Sequence, residues 1–321
     1  MRGPQIVHYL ASIALLPGSA GGCLSSAGSK LVETQSEFRV YVRHDDYRGN
    51  WGQYVPTSVV SEDRPTVRPD GDAWFVEVMD KSIVDSELKQ IVEECLQADI
   101  PGLSVSACGQ ITDEGLQGLD EVLRHFRTLS LAGCRQLSGR SLRDLDLRCL
   151  RELYLDEVPV EDDELPFLIR PRLQVLSLRD TRISDKGVAY LLQMRELERL
   201  SLQSTEVGDG CLSHIVQLRS LVDLDLSLTR VADIQVLSSL PNLRGLYLYK
   251  CPITDGALLS LTSRRPNIEA LSLIGCTSVT DRGIRDLYDM PSLRYVGLTG
   301  TQVTEQAVNR LRKALPQCHV E

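Results

Sequence analysis

The chain has 321 residues, a formal net charge of −9, and 42% hydrophobic against 25% charged residues. That length and apolar content supply a sizeable core and exclude wholesale disorder. The acidic balance, with arginines interleaved among Asp and Glu along the whole sequence, argues against a nucleic-acid surface, because phosphate binding needs clustered Lys and Arg.

The amino terminus has the shape of an export segment. Arg2 gives a minimal positive end, Ile6 to Leu16 is an eleven-residue mostly apolar run, and Pro17 to Cys23 is a small-residue stretch ending in cysteine. Eleven residues cannot span a bilayer. The pattern resembles a bacterial lipoprotein leader, in which Cys23 would be lipidated, although Ala20-Gly21-Gly22 lacks the usual aliphatic residue three before the cysteine. Cleavage after Ala20 without lipidation, or an unprocessed cytoplasmic amino terminus, are the alternatives. Residues 24–35 read as a small, polar tether. Residues 36–72 read as a small β-containing cap, with Phe38 to Arg43 alternating at period two and Gln53 to Val60 rich in β-branched residues.

From Ala73 to Glu321 one frame recurs: L-x-x-L-x-L, a Cys or Thr, Ile or Val, then a hydroxyl residue and Asp. Its copies begin at Ala73, Ile100, Phe126, Leu150, Leu173, Leu197, Leu221, Leu243, Ile268 and Leu293, spaced by 22 to 27 residues. The L-x-L segment predicts a short strand with its leucines inward and the residues between them outward. Stacking such units makes a parallel sheet along one side. The Cys or Thr slot, as at Cys108, Cys134, Thr181 and Thr205, suits a sharp inner corner. Thr112-Asp113, Ser184-Asp185, Thr254-Asp255 and Thr280-Asp281 predict a capped helix on the outer side of each repeat, the Asp favouring its positive end. The small residue that follows, as at Gly115, Gly187, Cys211 and Gly283, is expected to let that helix lie close to its neighbour.

The ten aligned copies, residues 73–321 and about four fifths of the chain, resemble leucine-rich repeat proteins of the cysteine-containing and ribonuclease-inhibitor types. The short T-x-I-T-D-x-G-L form looks like the repeats of bacterial exported proteins, and no F-box-like helical segment is seen ahead of them. The resemblance implies an α/β solenoid, a curved horseshoe with its parallel sheet on the concave face and helices on the convex face, closed by a C-terminal cap. It implies a binding module rather than an enzyme.

Cys108, Cys134, Cys251 and Cys276 share one repeat slot and Cys211 takes the small slot, and no two of the nine cysteines form a close C-x-x-C pair, so buried small thiols are expected in the repeats and neither a zinc site nor a redox motif. Glu161-Asp162-Asp163-Glu164 reads as a solvated acidic edge, because a calcium loop would need intervening turns. The five histidines lie on no nucleophilic signature, and no phosphate-cradling glycine loop is present. No catalytic residue, metal or cofactor is assigned.

Function should lie on the outward strand positions, which solenoids use as an extended binding face. The early repeats offer small residues there, such as Gly102, Ser104, Ser106 and Ser130. The middle and late repeats offer Tyr154, Tyr247, Tyr249 and Tyr295 as rigid amphipathic area and Arg179 and Arg199 as forked donors. Asp156, Asp223 and Asp225 favour a basic or mixed-charge protein partner. The expectation is a monomeric, non-enzymatic interaction module in the cell envelope or secreted, meeting a membrane only through a lipid anchor at Cys23. The alternative is an intracellular adaptor resembling the substrate-recognition repeats of F-box ubiquitin-ligase receptors.

Overall fold

The structure, a computed structural model, describes residues 38–42, 74–78, 80–97, 100–119, 123–143, 145–169, 172–264 and 266–321. The leader, Cys23, the tether and the extended candidate at Gln53 to Val60 lie outside the described residues.

Strands β2 (Trp74–Val78) to β12 (His319–Val320) run parallel in strict chain order, and β1 (Phe38–Val42) adds to β2 antiparallel. Each repeat contributes one three-residue strand between these ends: β3 (Gly102–Ser104), β4 (Thr128–Ser130), β5 (Glu152–Tyr154), β6 (Val175–Ser177), β7 (Arg199–Ser201), β8 (Asp223–Asp225), β9 (Gly245–Tyr247), β10 (Ala270–Ser272) and β11 (Tyr295–Gly297). Leu103, Leu129, Leu153, Leu176, Leu200, Leu224, Leu246, Leu271 and Val296 stand in lateral register. All are buried in one continuous core with the second leucine of each frame. At roughly 25 cal/mol per Å² of apolar area, this spine supplies the main stabilisation. A single rung cannot bury both its sides, so the rungs depend on one another.

The turn after each strand is built the same way. Ala107, Gly133, Glu157, Asp180, Ser204, Leu228, Lys250, Gly275 and Gly300 all adopt φ between 54° and 77°. The amide of this left-handed residue still joins the ladder, as where Leu228 donates to the Tyr249 carbonyl at 2.7 Å. The Cys or Thr corner follows, and the two residue types behave differently. Thr181 and Thr205 donate to the carbonyl three residues back, at 2.6 Å to Leu178 and 2.6 Å to Leu202. Cys134, Cys251 and Cys276 instead reach the preceding rung, at 3.3 Å to Val105, 3.0 Å to Leu226 and 3.0 Å to Leu248.

The convex side departs from expectation. Well-formed helices occur at α1 (Asp85–Gln97), α6 (Asp255–Thr262) and α7 (Glu305–Ala314). Other repeats have a single turn, α2 (Asp113–Leu116), α3 (Leu165–Leu168), α4 (Asp185–Val188) and α5 (Leu212–Ile215), or only 3-10 turns, as at Gly139–Leu142, Gln235–Ser239 and Arg285–Asp289. Segment length does not decide this, since Cys276 to Tyr295 is as long as Cys251 to Ala270, which holds α6, and yet it forms only the 3-10 turn Arg285–Asp289.

The Ser/Thr-Asp pair is also more than a cap. The hydroxyl does cap its own turn, as where Ser184 accepts from the Lys186 amide at 3.3 Å. The aspartate, however, reaches the following rung. Asp85, Asp113, Asp162, Asp255 and Asp281 each accept from both the amide and the hydroxyl of the next repeat's Ser or Thr, at Thr112, Ser138, Ser184, Thr280 and Thr304. Asp185 and Asp209 bind the amides of Gly208 and Ala232 at 2.7 Å each. The small slot serves this ladder: a Cβ at Gly115, Gly187 or Gly283 would collide with the carboxylate of Asp85, Asp162 or Asp255. The slot thus lets the neighbouring helix or turn lie close through its first residue, the aspartate.

Candidate functional site

The outward strand residues form three lateral rows on the concave face. The first runs Glu152, Val175, Arg199, Asp223, Gly245, Ala270, Tyr295; the second runs Tyr154, Ser177, Ser201, Asp225, Tyr247, Ser272, Gly297. The third holds Asp156, Arg179, Gln203, Ser227, Tyr249 and Ile274, two residues further along each chain. All nine residues chosen from the sequence lie in these rows.

Their partners divide them. At β5, Tyr154 donates its hydroxyl to Glu152 at 3.3 Å, and Thr128 donates to the same carboxylate at 3.4 Å. Asp156 accepts from the Ser177 hydroxyl and, at 3.2 Å, from the Arg179 amide. The Arg179 guanidinium turns to Asp180 at 3.0 Å. Arg199 meets Asp223 at 3.3 Å across one rung, and Gly245 leaves the space that the Asp223 carboxylate fills, against the Tyr247 ring. Asp225 accepts from the Ser227 amide at 2.9 Å and is only 3% exposed.

Three aspartates on this face are held above the ordinary carboxylate range. Burial is the leading cause for each. At Asp156 the Ser177 and Arg179 bonds oppose it, at Asp223 the Arg199 charge opposes it and Glu269 reinforces it, and at Asp225 the Ser227 bonds and Arg179 oppose it. Tyr247 titrates well above a free phenol because it is buried and faces Asp223 and Asp225.

Exposure also departs from the sequence picture. Tyr247, read there as open contact area, is 9% exposed and forms floor rather than rim. Its hydroxyl nevertheless makes no hydrogen bond among the described residues. Tyr295 stacks on His319 at 6.0 Å and donates to Glu321 at 2.7 Å, so it joins the closing strand as well as the face. Tyr249 is half-buried, with the Lys250 ammonium 5.0 Å from its ring centroid.

Sequence reasoning passed over Leu228. It sits beside Tyr249 in a left-handed backbone and is 40% exposed, a conformation costing a non-glycine residue roughly 1 kcal/mol. The left-handed column of the repeat was its signal, since every other position in that column is Gly, Ala or polar. Ile274, half-buried over Gly297, extends the same apolar edge. The remaining motifs are structural. Asp162 is bound to Ser184, and Glu161 and Glu164 form a capping box. No group of metal-ligating side chains occurs among the described residues.

A solenoid with this strand order and this frame is a leucine-rich repeat fold, a class that generally mediates protein–protein interaction. A leucine-rich repeat family profile matches residues 172–192. Among solved structures the chain is similar to an internalin from Listeria monocytogenes, with 18% identity and a TM-score of 0.51 over 71% of this chain and 68% of that one. It also matches a leucine-rich repeat protein from Leptospira interrogans, with 15% identity and a TM-score of 0.38 over 73% of this chain and 74% of that one. Comparison with curated proteins finds no match. No helix among the described residues is long and apolar enough to cross a membrane.

Proposed function

We propose that this chain is a non-enzymatic binding module that holds a protein partner of basic or mixed charge on its concave sheet between β5 and β11. The supporting observation is the concentration of buried polar groups on that face. Asp156, Asp223 and Asp225 are desolvated with incomplete compensation, an arrangement that costs stability and that the scaffold itself does not need. The early rungs β3 and β4 show that Ser and Thr suffice there.

The reading includes a monomeric chain, residues 36–72 as an amino-terminal cap, which the antiparallel pairing of β1 with β2 supports, and an envelope or secreted location with lipidation at Cys23. Mass measurement of the mature amino terminus tests the location. A chain beginning at lipidated Cys23 agrees, and an intact Met1 favours the intracellular adaptor instead. For the binding face, quantitative capture from extracts of the source cell compares wild type, Arg179→Ala with Tyr154→Ala, and the convex variant Tyr190→Ala. Proteins lost with the concave pair and kept with the convex variant are expected; equal capture by all three would overturn the reading.

A further inference from the structure

We infer that the rim formed by the residues leading into strands β4 to β8 is a second docking surface, one that takes up an acidic run of Asp and Glu in an extended segment of a partner protein. The inference is independent of the concave reading.

Arginines far apart in sequence fall into line on this rim because each lies one or two repeats from the next. Arg124, Arg148, Arg195 and Arg219 stand two residues ahead of the first core residue of their repeats, Phe126, Leu150, Leu197 and Leu221. In the β6 repeat Pro171 takes that slot and Arg172 follows it. All five arginines are exposed. Arg127 and Arg151, one residue past Phe126 and Leu150, are joined rung to rung by the Arg151 amide, which donates to the Arg127 carbonyl at 2.7 Å. Their guanidiniums reach sideways to the next rung, at 3.3 Å to the Cys149 carbonyl and 3.1 Å to the Arg172 carbonyl, and Arg219 reaches the Ser239 carbonyl at 3.0 Å. These bonds hold three forks against the rim, and a guanidinium with five donors keeps others to offer outward.

Few carboxylates answer this row. Asp146 binds Arg148 at 2.6 Å and Glu196 binds Arg151 at 3.0 Å, while Glu198 accepts from Gln174 at 3.4 Å. Asp120, Glu121, Asp144 and Arg170 lie outside the residues whose side chains are described. Arg124, Arg172, Arg195 and Arg219 have no ion pair among the described residues. In a chain whose formal net charge is −9, this rim is basic and complementary to negative charge.

The kind of partner follows from the rim's other residues. The apolar side chains beside the arginines, Leu123, Leu147, Met194 and Leu218, are buried. Among the described residues the rim therefore offers neither the apolar anchor on which a folded partner's interface centres nor an apolar edge to enter a membrane. Binding there is by charge. A run of Asp and Glu is kept extended by its own repulsion, and the four rung spacings of about 4.8 Å match about six extended residues at 3.3 Å each.

Fluorescence polarisation of a labelled decaglutamate peptide against the full chain tests this. Exposed ion pairs contribute little singly, so Arg172→Gln with Arg195→Gln should weaken binding about threefold to tenfold. Raising NaCl from about 0.05 to 0.3 M should weaken it too, because exposed charges are screened. Neither arginine side chain makes a hydrogen bond or ion pair among the described residues, so the urea midpoint of the pair should not move. Arg282→Gln with Arg310→Gln removes the same charge from exposed sites elsewhere and should change affinity less than about twofold. Absence of decaglutamate binding, equal losses from the two arginine pairs, or binding indifferent to salt overturns the proposal. So does binding of a sulfated oligosaccharide or an oligothymidylate without binding of decaglutamate. A loss with Arg179→Ala and Tyr154→Ala but not with the rim pair overturns it as well, and leaves the concave reading standing.

Discussion

Replacing Asp255 by Ala removes one staple of the inter-rung ladder. The carboxylate accepts from the Thr280 amide at 2.7 Å and from the Thr280 hydroxyl at 2.6 Å. Hydrogen bonds to a charged group contribute about 1.5–3 kcal/mol each when shielded. Asp255 is half-buried, so the pair together is expected to be worth about 2–3 kcal/mol. The structure supplies its own control in the preceding rung. The β8 repeat is the shortest, and Asp233 there accepts only from the Gln235 amide of its own turn, at 3.2 Å. Asp233→Ala should cost under about 0.5 kcal/mol, as surface changes usually do. Gly283 completes a cycle. An added methyl would meet the Asp255 carboxylate and its Cα at 3.1 Å, so Gly283→Ala should destabilise the wild type and do so less in the Asp255→Ala background. Urea unfolding followed by circular dichroism gives the stabilities of the wild type, the three single variants and the double variant. Equal costs at Asp255 and Asp233, or strict additivity with Gly283, would refute the ladder.

Three further outcomes are expected. Burial raises the Asp225 carboxyl above the 3.8 of a free side chain, Asp156 adding to it and Ser227 and Arg179 opposing it. In that interval the folded chain binds more protons than the unfolded one, so its stability falls as pH rises through the raised value. Asp225→Asn should therefore stabilise the protein near neutral pH and lose that advantage as pH drops towards 3.8; urea midpoints at several pH values check the sign, and a variant weaker at pH 7 contradicts it. Leu228→Asn should gain about 0.5–1 kcal/mol, because Asn tolerates left-handed backbone better than a branched apolar side chain, and a fall in thermal midpoint would count against it. Among the cysteines of the described residues, Cys149 should be alkylated first in the native protein. It is half-buried, whereas burial pushes Cys95, Cys134, Cys211 and Cys276 up to about 12 and Cys108 up to about 11; peptide mapping after brief alkylation would show a different order if the core were open.

The strand spine was readable because its period is two and its spacing returns every repeat, so each inward leucine is marked twice. The aspartate ladder was not, since its bonds join residues such as Asp255 and Thr280, 25 apart in sequence, and a helix cap explains the same Ser/Thr-Asp pair locally. Convex helices were overestimated because capping residues mark where a turn begins and not where it ends. On the concave face, membership of the rows followed from alternation. The depth of Tyr247 and Asp225 did not, because it depends on neighbours one rung away, above all the space that Gly245 leaves beside Asp223.

The most direct measurement of the central claim is calorimetric titration of a captured partner against wild type, the concave pair Arg179→Ala with Tyr154→Ala, and convex Tyr190→Ala. Binding through the concave sheet predicts at least a tenfold loss, about 1.4 kcal/mol, for the concave pair and unchanged affinity for Tyr190→Ala. Unchanged affinity for the concave pair, or a loss confined to Tyr190→Ala, would contradict it.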